Sequence, residues 1–302
     1  MVGVTIYETM DERFAPCRNG DRSLETLYQG SRWAEGPIYV PAGRYLIWSD
    51  IPNDRLLRWD ETTGQVGVFR EPAGYVNGNT LDFQGRLVSC EQGNRRVTRT
   101  ELAGSITVIA DRYDGKRFNS PNDCAVKSDG SIWFSDPVYG IQSDYEGHRG
   151  ESEIGERNVY RVDPDGSVRV AASDFTNPNG LVFTPDESQL YVSDSGANHI
   201  RVFDLADDGR VISDRIFAAP SAGNFDNIRL DDDGRLWAAA MGDGVHCYHP
   251  DGTLLGKVTV PEVVANISFG GPKRNRMFIA ASGSLYSVLM SITGAPLAVD
   301  SR

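Results

Sequence analysis

Six times along this 302-residue chain a short phrase recurs, and each copy opens with a carboxylate or carboxamide in nearly the same place. The copies start at Glu35-Gly36-Pro37-Ile38, Asn77-Gly78-Asn79-Thr80, Asn122-Asp123-Cys124-Ala125, Asn179-Gly180-Leu181-Val182, Asp226-Asn227-Ile228-Arg229 and Asn266-Ile267-Ser268-Phe269. Repetition at a period of about 40 to 50 residues marks a radial or stacked architecture. In a closed ring, a polar residue in the same slot of every unit would converge on the axis.

Each opener runs into a first strand, a turn rich in Asp and Gly, and a second strand such as Tyr45-Leu46-Ile47-Trp48-Ser49-Asp50 or Ile132-Trp133-Phe134-Ser135-Asp136. The turn residue advances from 43 to 85, 130, 188 and 234, giving steps of 42, 45, 58 and 46. Third strands such as Val159-Tyr160-Arg161-Val162 end in turns like Asp163-Pro164-Asp165-Gly166, which carry tight-hairpin chemistry. A fourth strand precedes the next opener, as in Val66 to Phe69 and Ile212 to Phe217. Four antiparallel strands in each of six units predict an all-β, six-bladed β-propeller. The last unit lacks a fourth strand, and Leu24-Glu25-Thr26-Leu27-Tyr28 is an unclaimed strand near the N-terminus. That strand is expected to close the final blade and so remove an open sheet edge. The whole chain, 1–302, reads as one propeller domain with an N-terminal extension over 1–23.

The step of 58 is long because of an excess between Asp136 and Asn158. In an antiparallel blade the end of the second strand shares a face with the start of the first, so the insertion at 137–158 is expected to overhang the polar ring as a lid.

Charge and composition narrow the partners. The formal charge is 30 − 42 = −12, which repels phosphate backbones and anionic bilayers, so neither nucleic acid nor a membrane is expected as a partner. No apolar run is long enough to span a membrane. The start of the chain lacks a basic, then apolar, secretory pattern. Cys17, Cys90, Cys124 and Cys247 include no Cys-x-x-Cys pair, which suits a reducing compartment, and a cytoplasmic location is expected.

Convergent Glu, Asp and Asn oxygens suit a hard divalent cation, Ca²⁺ first and Mg²⁺ or Mn²⁺ also, with Zn²⁺ possible if water completes its shell. Glu-Gly-Pro and Asn-Gly can also be turn chemistry alone. A metal at the mouth of a central channel would polarise a carbonyl or phosphoryl oxygen and activate water. Asp226 is the expected general base and Glu35 the longer-reaching ligand. His148, His199, His246 and His249 show no metal-binding spacing, and they read as surface or edge residues, with His148 in the candidate lid the exception. Asp50, Asp136 and Asp194, which end second strands, read as turn caps. No Gly-x-Ser-x-Gly elbow or phosphate-binding glycine loop occurs.

The phrases Trp33-Ala34-Glu35-Gly36-Pro37, Trp48-Ser49-Asp50-Ile51-Pro52-Asn53, Gly93-Asn94-Arg95-Arg96-Val97, Arg117-Phe118-Asn119-Ser120-Pro121-Asn122-Asp123 and Asn177-Pro178-Asn179-Gly180-Leu181 together resemble the gluconolactonase branch of the SMP-30/gluconolactonase/luciferin-regenerating family. The likeness covers roughly residues 24 to 290. It implies a six-bladed propeller with a divalent metal held at the axis by Glu35, Asn179 and Asp226. It also implies that Asn122 contacts substrate or metal-bound water, and that Arg117 and Asn119, which form an Arg-x-Asn phrase, bind substrate. That phrase lies three residues upstream of the ring-aligned Asn122. The activity implied is metal-dependent hydrolysis of a sugar lactone. A phosphotriesterase-like hydrolase and a non-catalytic metal- or protein-binding propeller are the rival readings, and the oligomeric state is left open.

Overall fold

The computed structural model describes residues 6–21 and 23–300. Residues 1–5 and 22 of the extension expected over 1–23 lie outside the described residues. Six antiparallel blades, five of four strands and one of five, follow one another along the chain, with one two-stranded hairpin outside them. Blade one comprises Ala34–Val40, Tyr45–Asp50, Arg55–Asp60 and Val66–Arg70. The innermost strands of blades two to six are Val76–Leu81, Cys124–Val126, Pro178–Phe183, Asn224–Leu230 and Val264–Gly270. Every inner strand touches the inner strands of both neighbouring blades, the sixth against the first, so the ring closes.

The closing strand is where the sequence places it. Glu25–Gln29 pairs antiparallel with Ser284–Leu289 and completes blade six. A second N-terminal strand, Tyr7–Thr9, adds a fifth strand to blade five in register with Gly256 to Val258. It was not anticipated, because three residues are too few to show a period. Between the two strands Phe14 and Cys17 are buried against Trp237, Leu255 and Met290, so the strap is part of the core.

Blades cohere face to face. Trp48, Trp133 and Trp237 sit on the second strands of blades one, three and five and are 0% exposed. Each ring packs on a neighbouring blade or the strap: Trp48 against Phe278 and Leu285, Trp133 against Leu181 and Phe203, Trp237 against Met277 and Phe14. Burying an aromatic of that size contributes on the order of 3 kcal/mol. His246 departs from its expected surface position. It is buried in blade five, where Nε2 pairs with Asp243 at 2.8 Å and Nδ1 lies 3.3 Å from the Tyr248 hydroxyl. Alternation along the strand turned it inward, and a polar partner made that tolerable.

The Ser-Asp strand ends are caps, as expected. Asp50 accepts from the Arg32 amide at 2.8 Å, Asp136 from the Asn119 and Ser120 amides at 2.8 and 2.9 Å, and Asp194 from those of Thr176 and Asn177 at 2.7 and 2.8 Å. Asp50 also has the Arg55 guanidinium at 2.9 Å. Asp136 lacks such a direct partner, and burial pushes its carboxyl up to about 7, against the pull of its two amide bonds and the more distant Arg95. The unfolded chain releases this proton near 3.8 and the folded chain holds it to about 7, so stability falls as pH rises through that window. The full contribution is at most ~4 kcal/mol. Asp136→Asn should therefore flatten the decline in melting temperature between those pH values, and curves parallel to wild type would refute the assignment.

Candidate active site at the hub

Local backbone geometry aims the six openers inward. In five blades the pairing of the first strand with the second shifts register at the opener, between Glu35 and Ile38, Val76 and Asn79, Pro178 and Leu181, Phe225 and Ile228, and Val264 and Asn266. Such a bulge re-aims a side chain that regular pleating would direct elsewhere. In blade three regular pairing starts at Cys124, two residues after Asn122. The glycine after three of the openers is a matter of space. A Cβ on Gly36 would lie 2.0 Å from the Asn77 carbonyl oxygen, one on Gly78 2.4 Å from that of Asn122, and one on Gly180 2.6 Å from the Ile228 amide. Main chain meets main chain around the axis, and only glycine fits.

All six openers are at most 6% exposed. Asn266 Nδ2 donates to Glu35 Oε2 at 2.7 Å, and the Gly36 amide donates to the same oxygen at 3.0 Å. Asn266 Oδ1 is buried with no partner among the described residues. Asn179 Nδ2 donates to Ser195 Oγ at 3.0 Å, and the Asn179 amide also bonds the Asp226 carboxylate. Ser195 in turn donates to the Phe225 carbonyl at 2.6 Å. The amides of Asn77 and Asn122 are not engaged by the rest of the described chain. Below this layer Asp123 ties the axis together, accepting from Asn227 Nδ2 at 2.9 Å and pairing with Arg229 at 3.1 Å.

Burial pushes the carboxyls of Glu35 and Asp226 well above the usual carboxylate range, and the negative charge of Glu35 drives Asp226 further. The charged neighbours that weigh on this pair, Glu146 and Asp123, are themselves acids. Two buried carboxylates with acidic neighbours and no ion-pair partner are costly unless a positive charge joins them. Among the described residues no cluster of three or more His, Cys, Asp or Glu side chains is arranged to hold a metal, so carboxamides must complete any shell here. Two carboxylates, the Asn179 amide and the orphaned Asn266 oxygen form an oxygen-only donor set, which fits a hard divalent cation.

The 137–158 segment comes nearest the hub at Tyr139. Its one helix, Tyr139–Gln142, brings the Tyr139 hydroxyl into a hydrogen bond with Ser195 beside Asp226. Burial pushes that phenol up to about 12, so it stays protonated at neutral pH. Further on, Glu146 acts electrostatically on Glu35 and Asp226, and the Tyr145 hydroxyl reaches the Arg32 carbonyl before blade one at 3.5 Å.

The structure therefore gathers Glu35, Asn179, Asp226 and Asn122 at one hub. It places Arg117 and Asn119 elsewhere. Arg117 lies in a two-stranded hairpin outside the blades, its guanidinium on the Asn94 carbonyl at 3.4 Å and its backbone amide on Glu153 at 2.9 Å. Asn119 is fully buried, donating to the carbonyls of Asp136 at 3.2 Å and Glu156 at 2.8 Å and accepting from Ser152 Oγ at 2.5 Å. It stitches the two ends of the insertion together. Sequence reasoning did not single out Tyr139 or Glu146 as site residues. Their signal was the length of the insertion, which located the segment without saying which side chains turn inward.

Comparison with known proteins gives the family and the same overall fold. The SMP-30/Gluconolactonase/LRE-like region matches residues 33–283. A gluconolactonase of Zymomonas mobilis subsp. mobilis is 31% identical over 88% of this chain and 80% of its own length. A pentonolactonase of Haloferax volcanii is 29% identical over 83% of this chain and 82% of its own. The solved structure of a gluconolactonase from Xanthomonas campestris superposes with a TM-score of 0.89 at 38% identity, covering 94% of each chain.

Proposed function

Because the chain belongs to the SMP-30/gluconolactonase/LRE-like family, we propose that it hydrolyses sugar lactones at the hub, with a divalent cation held by Glu35, Asn179 and Asp226. The observation that carries this reading is the buried, unpaired pair of carboxylates set among carboxamides. When bound, the cation would supply Lewis-acid polarisation of the ester carbonyl and favour ionisation of water.

The chain's own residues do the rest. Asp226, whose environment raises its affinity for a proton, accepts one from the attacking water as the new C–O bond forms. The ring C–O bond then breaks, and the leaving alkoxide takes up a proton to give the hydroxy acid. The free amides of Asn122 and Asn77 orient the polar lactone by hydrogen bonds, and the Tyr139 hydroxyl and the insertion limit entry of bulk water. Sugar lactones fit a hub lined by carboxamides better than acyl lactones do, since each unengaged buried amide needs a polar partner.

The reaction releases acid, so an indicator assay tests it. Protein stripped of metal and given gluconolactone should acidify the solution at the spontaneous rate, and adding back a divalent ion should raise the rate at least ~100-fold. Rates that no ion and no lactone lift above the spontaneous value would reject the proposal.

A further inference from the structure

We propose that Asn266 is a positioning residue that restricts Glu35 to a single ligating oxygen, so that the sixth blade sets which divalent ion the hub prefers. This rests on the cation reading given above and adds to it a residue that chooses between cations.

The Glu35 carboxylate is held by one oxygen only. Its Oε2 accepts from Asn266 Nδ2 at 2.7 Å and from the Gly36 amide at 3.0 Å, while Oε1 accepts from nothing among the described residues. Two donors fill the acceptor capacity of Oε2, so a cation arriving at Glu35 finds one oxygen engaged and the other open to it.

Asn266 does not serve as a brace between blades. A bracing asparagine in this ring looks like Asn79, bonded at both ends: its Nδ2 donates to the Gly36 carbonyl and to Ser49 Oγ, each at 3.0 Å, and its Oδ1 accepts from Ser89 Oγ at 2.7 Å. Asn266 is as deeply buried, at 2% exposed, yet its Oδ1 has no partner among the described residues. Buried carboxamides are normally satisfied at both ends. This one is bonded only at the end that faces Glu35. It cannot turn round, because its oxygen would then meet a carboxylate oxygen, acceptor against acceptor. The backbone fixes both partners. Asn266 sits at the register shift between Val264 and Asn266, Glu35 at the shift between Glu35 and Ile38, and the Ala34 amide beside it donates to the Ser282 carbonyl of blade six at 2.7 Å. Calcium accepts a carboxylate through one oxygen or both, whereas magnesium demands near-ideal octahedral geometry. A Glu35 limited to one oxygen suits either ion, and a Glu35 able to offer two suits calcium and crowds magnesium.

Calorimetric titration of the metal-stripped full chain with calcium, followed by competition of magnesium against bound calcium, reads that preference without any turnover. Relative to wild type, Asn266→Leu should lose at least ~10-fold more affinity for magnesium than for calcium. Asn266→Asp, which keeps the shape and offers an acceptor in place of the donor, should move the ratio in the same direction. Melting curves in chelator check that each variant is folded, and if Asn266→Leu does not melt cooperatively, Asn266→Asp decides alone. Equal losses for the two ions in a folded variant, the mark of a merely structural residue, overturn the proposal. So does a wild type that takes calcium and shuts magnesium out altogether. Both of these results leave the hub reading standing, whereas no binding of any divalent ion by wild type brings down that reading and this inference with it.

Discussion

Replacing Asp226 with Asn should lower lactone turnover by roughly three orders of magnitude and, in the metal-free protein, raise the melting temperature. The two effects share one cause. Burial and then the negative charge of Glu35 raise the proton affinity of Asp226, and no positive side chain among the described residues sits with it to offset them. Asparagine keeps the shape and can still accept the bond from Asn179, but it does not carry the charge. Removing an uncompensated buried acid relieves its desolvation cost, and in a chain of this size each ~1 kcal/mol relieved is a shift of a few degrees. With saturating divalent ion the order should invert, since ligand binding to the native state stabilises wild type in proportion to its affinity and the variant has lost a ligand. Melting curves of both proteins in chelator and in calcium, run beside the indicator assay, test all three statements. A variant as active as wild type would remove Asp226 from the chemistry, and one less stable than wild type in chelator would show that its charge is already neutralised.

Deleting residues 1–30 should abolish cooperative folding. The deletion takes away the strand that completes blade six and the strand added to blade five, leaving two sheet edges unpaired and prone to intermolecular association. It also removes Phe14 and Cys17 from the core they share with Trp237, and Tyr28 from its contact with Trp48 at 5.4 Å between ring centres. Loss of a buried aromatic costs about 3–5 kcal/mol by itself, and whole domains hold only about 5–15 kcal/mol. Deleting 1–23 alone spares the blade-six strand and should yield a soluble but less stable protein. Circular dichroism melts of the two truncations separate these cases, and a 1–30 deletion that melts like wild type would mean that the ring is held closed by something other than its N-terminal strand.

Much of this was legible in the chain because the propeller repeats its chemistry. The bulge-forming openers, the Asp-Gly turns and the Ser-Asp caps recur at one spacing, so each copy supports the others, and the closing strand stood out as the one element without a unit. The failures fall where repetition ends. Tyr7–Thr9 is too short to show alternation. Arg117 sits in a hairpin between blades two and three that has no counterpart elsewhere, so no repeat fixed its direction, and its side chain runs along the surface to Asn94. Asn119 is a polar residue next to a site, yet the nearer demand of closing the insertion's base claims its amide. His246 was misjudged because a buried polar partner, Asp243, is invisible to a hydropathy pattern.

The contacts at Gly36, Gly78 and Gly180 carry one more implication. Where neighbouring units lean on each other through bare backbone, the bore of the ring is set by atoms that every amino acid shares. Exchanging an opener among Asn, Asp and Glu then alters what the bore can grip without altering how wide it is. New chemistry can be tried in this scaffold one side chain at a time, while an extra methyl on any of those three glycines would push two units apart together.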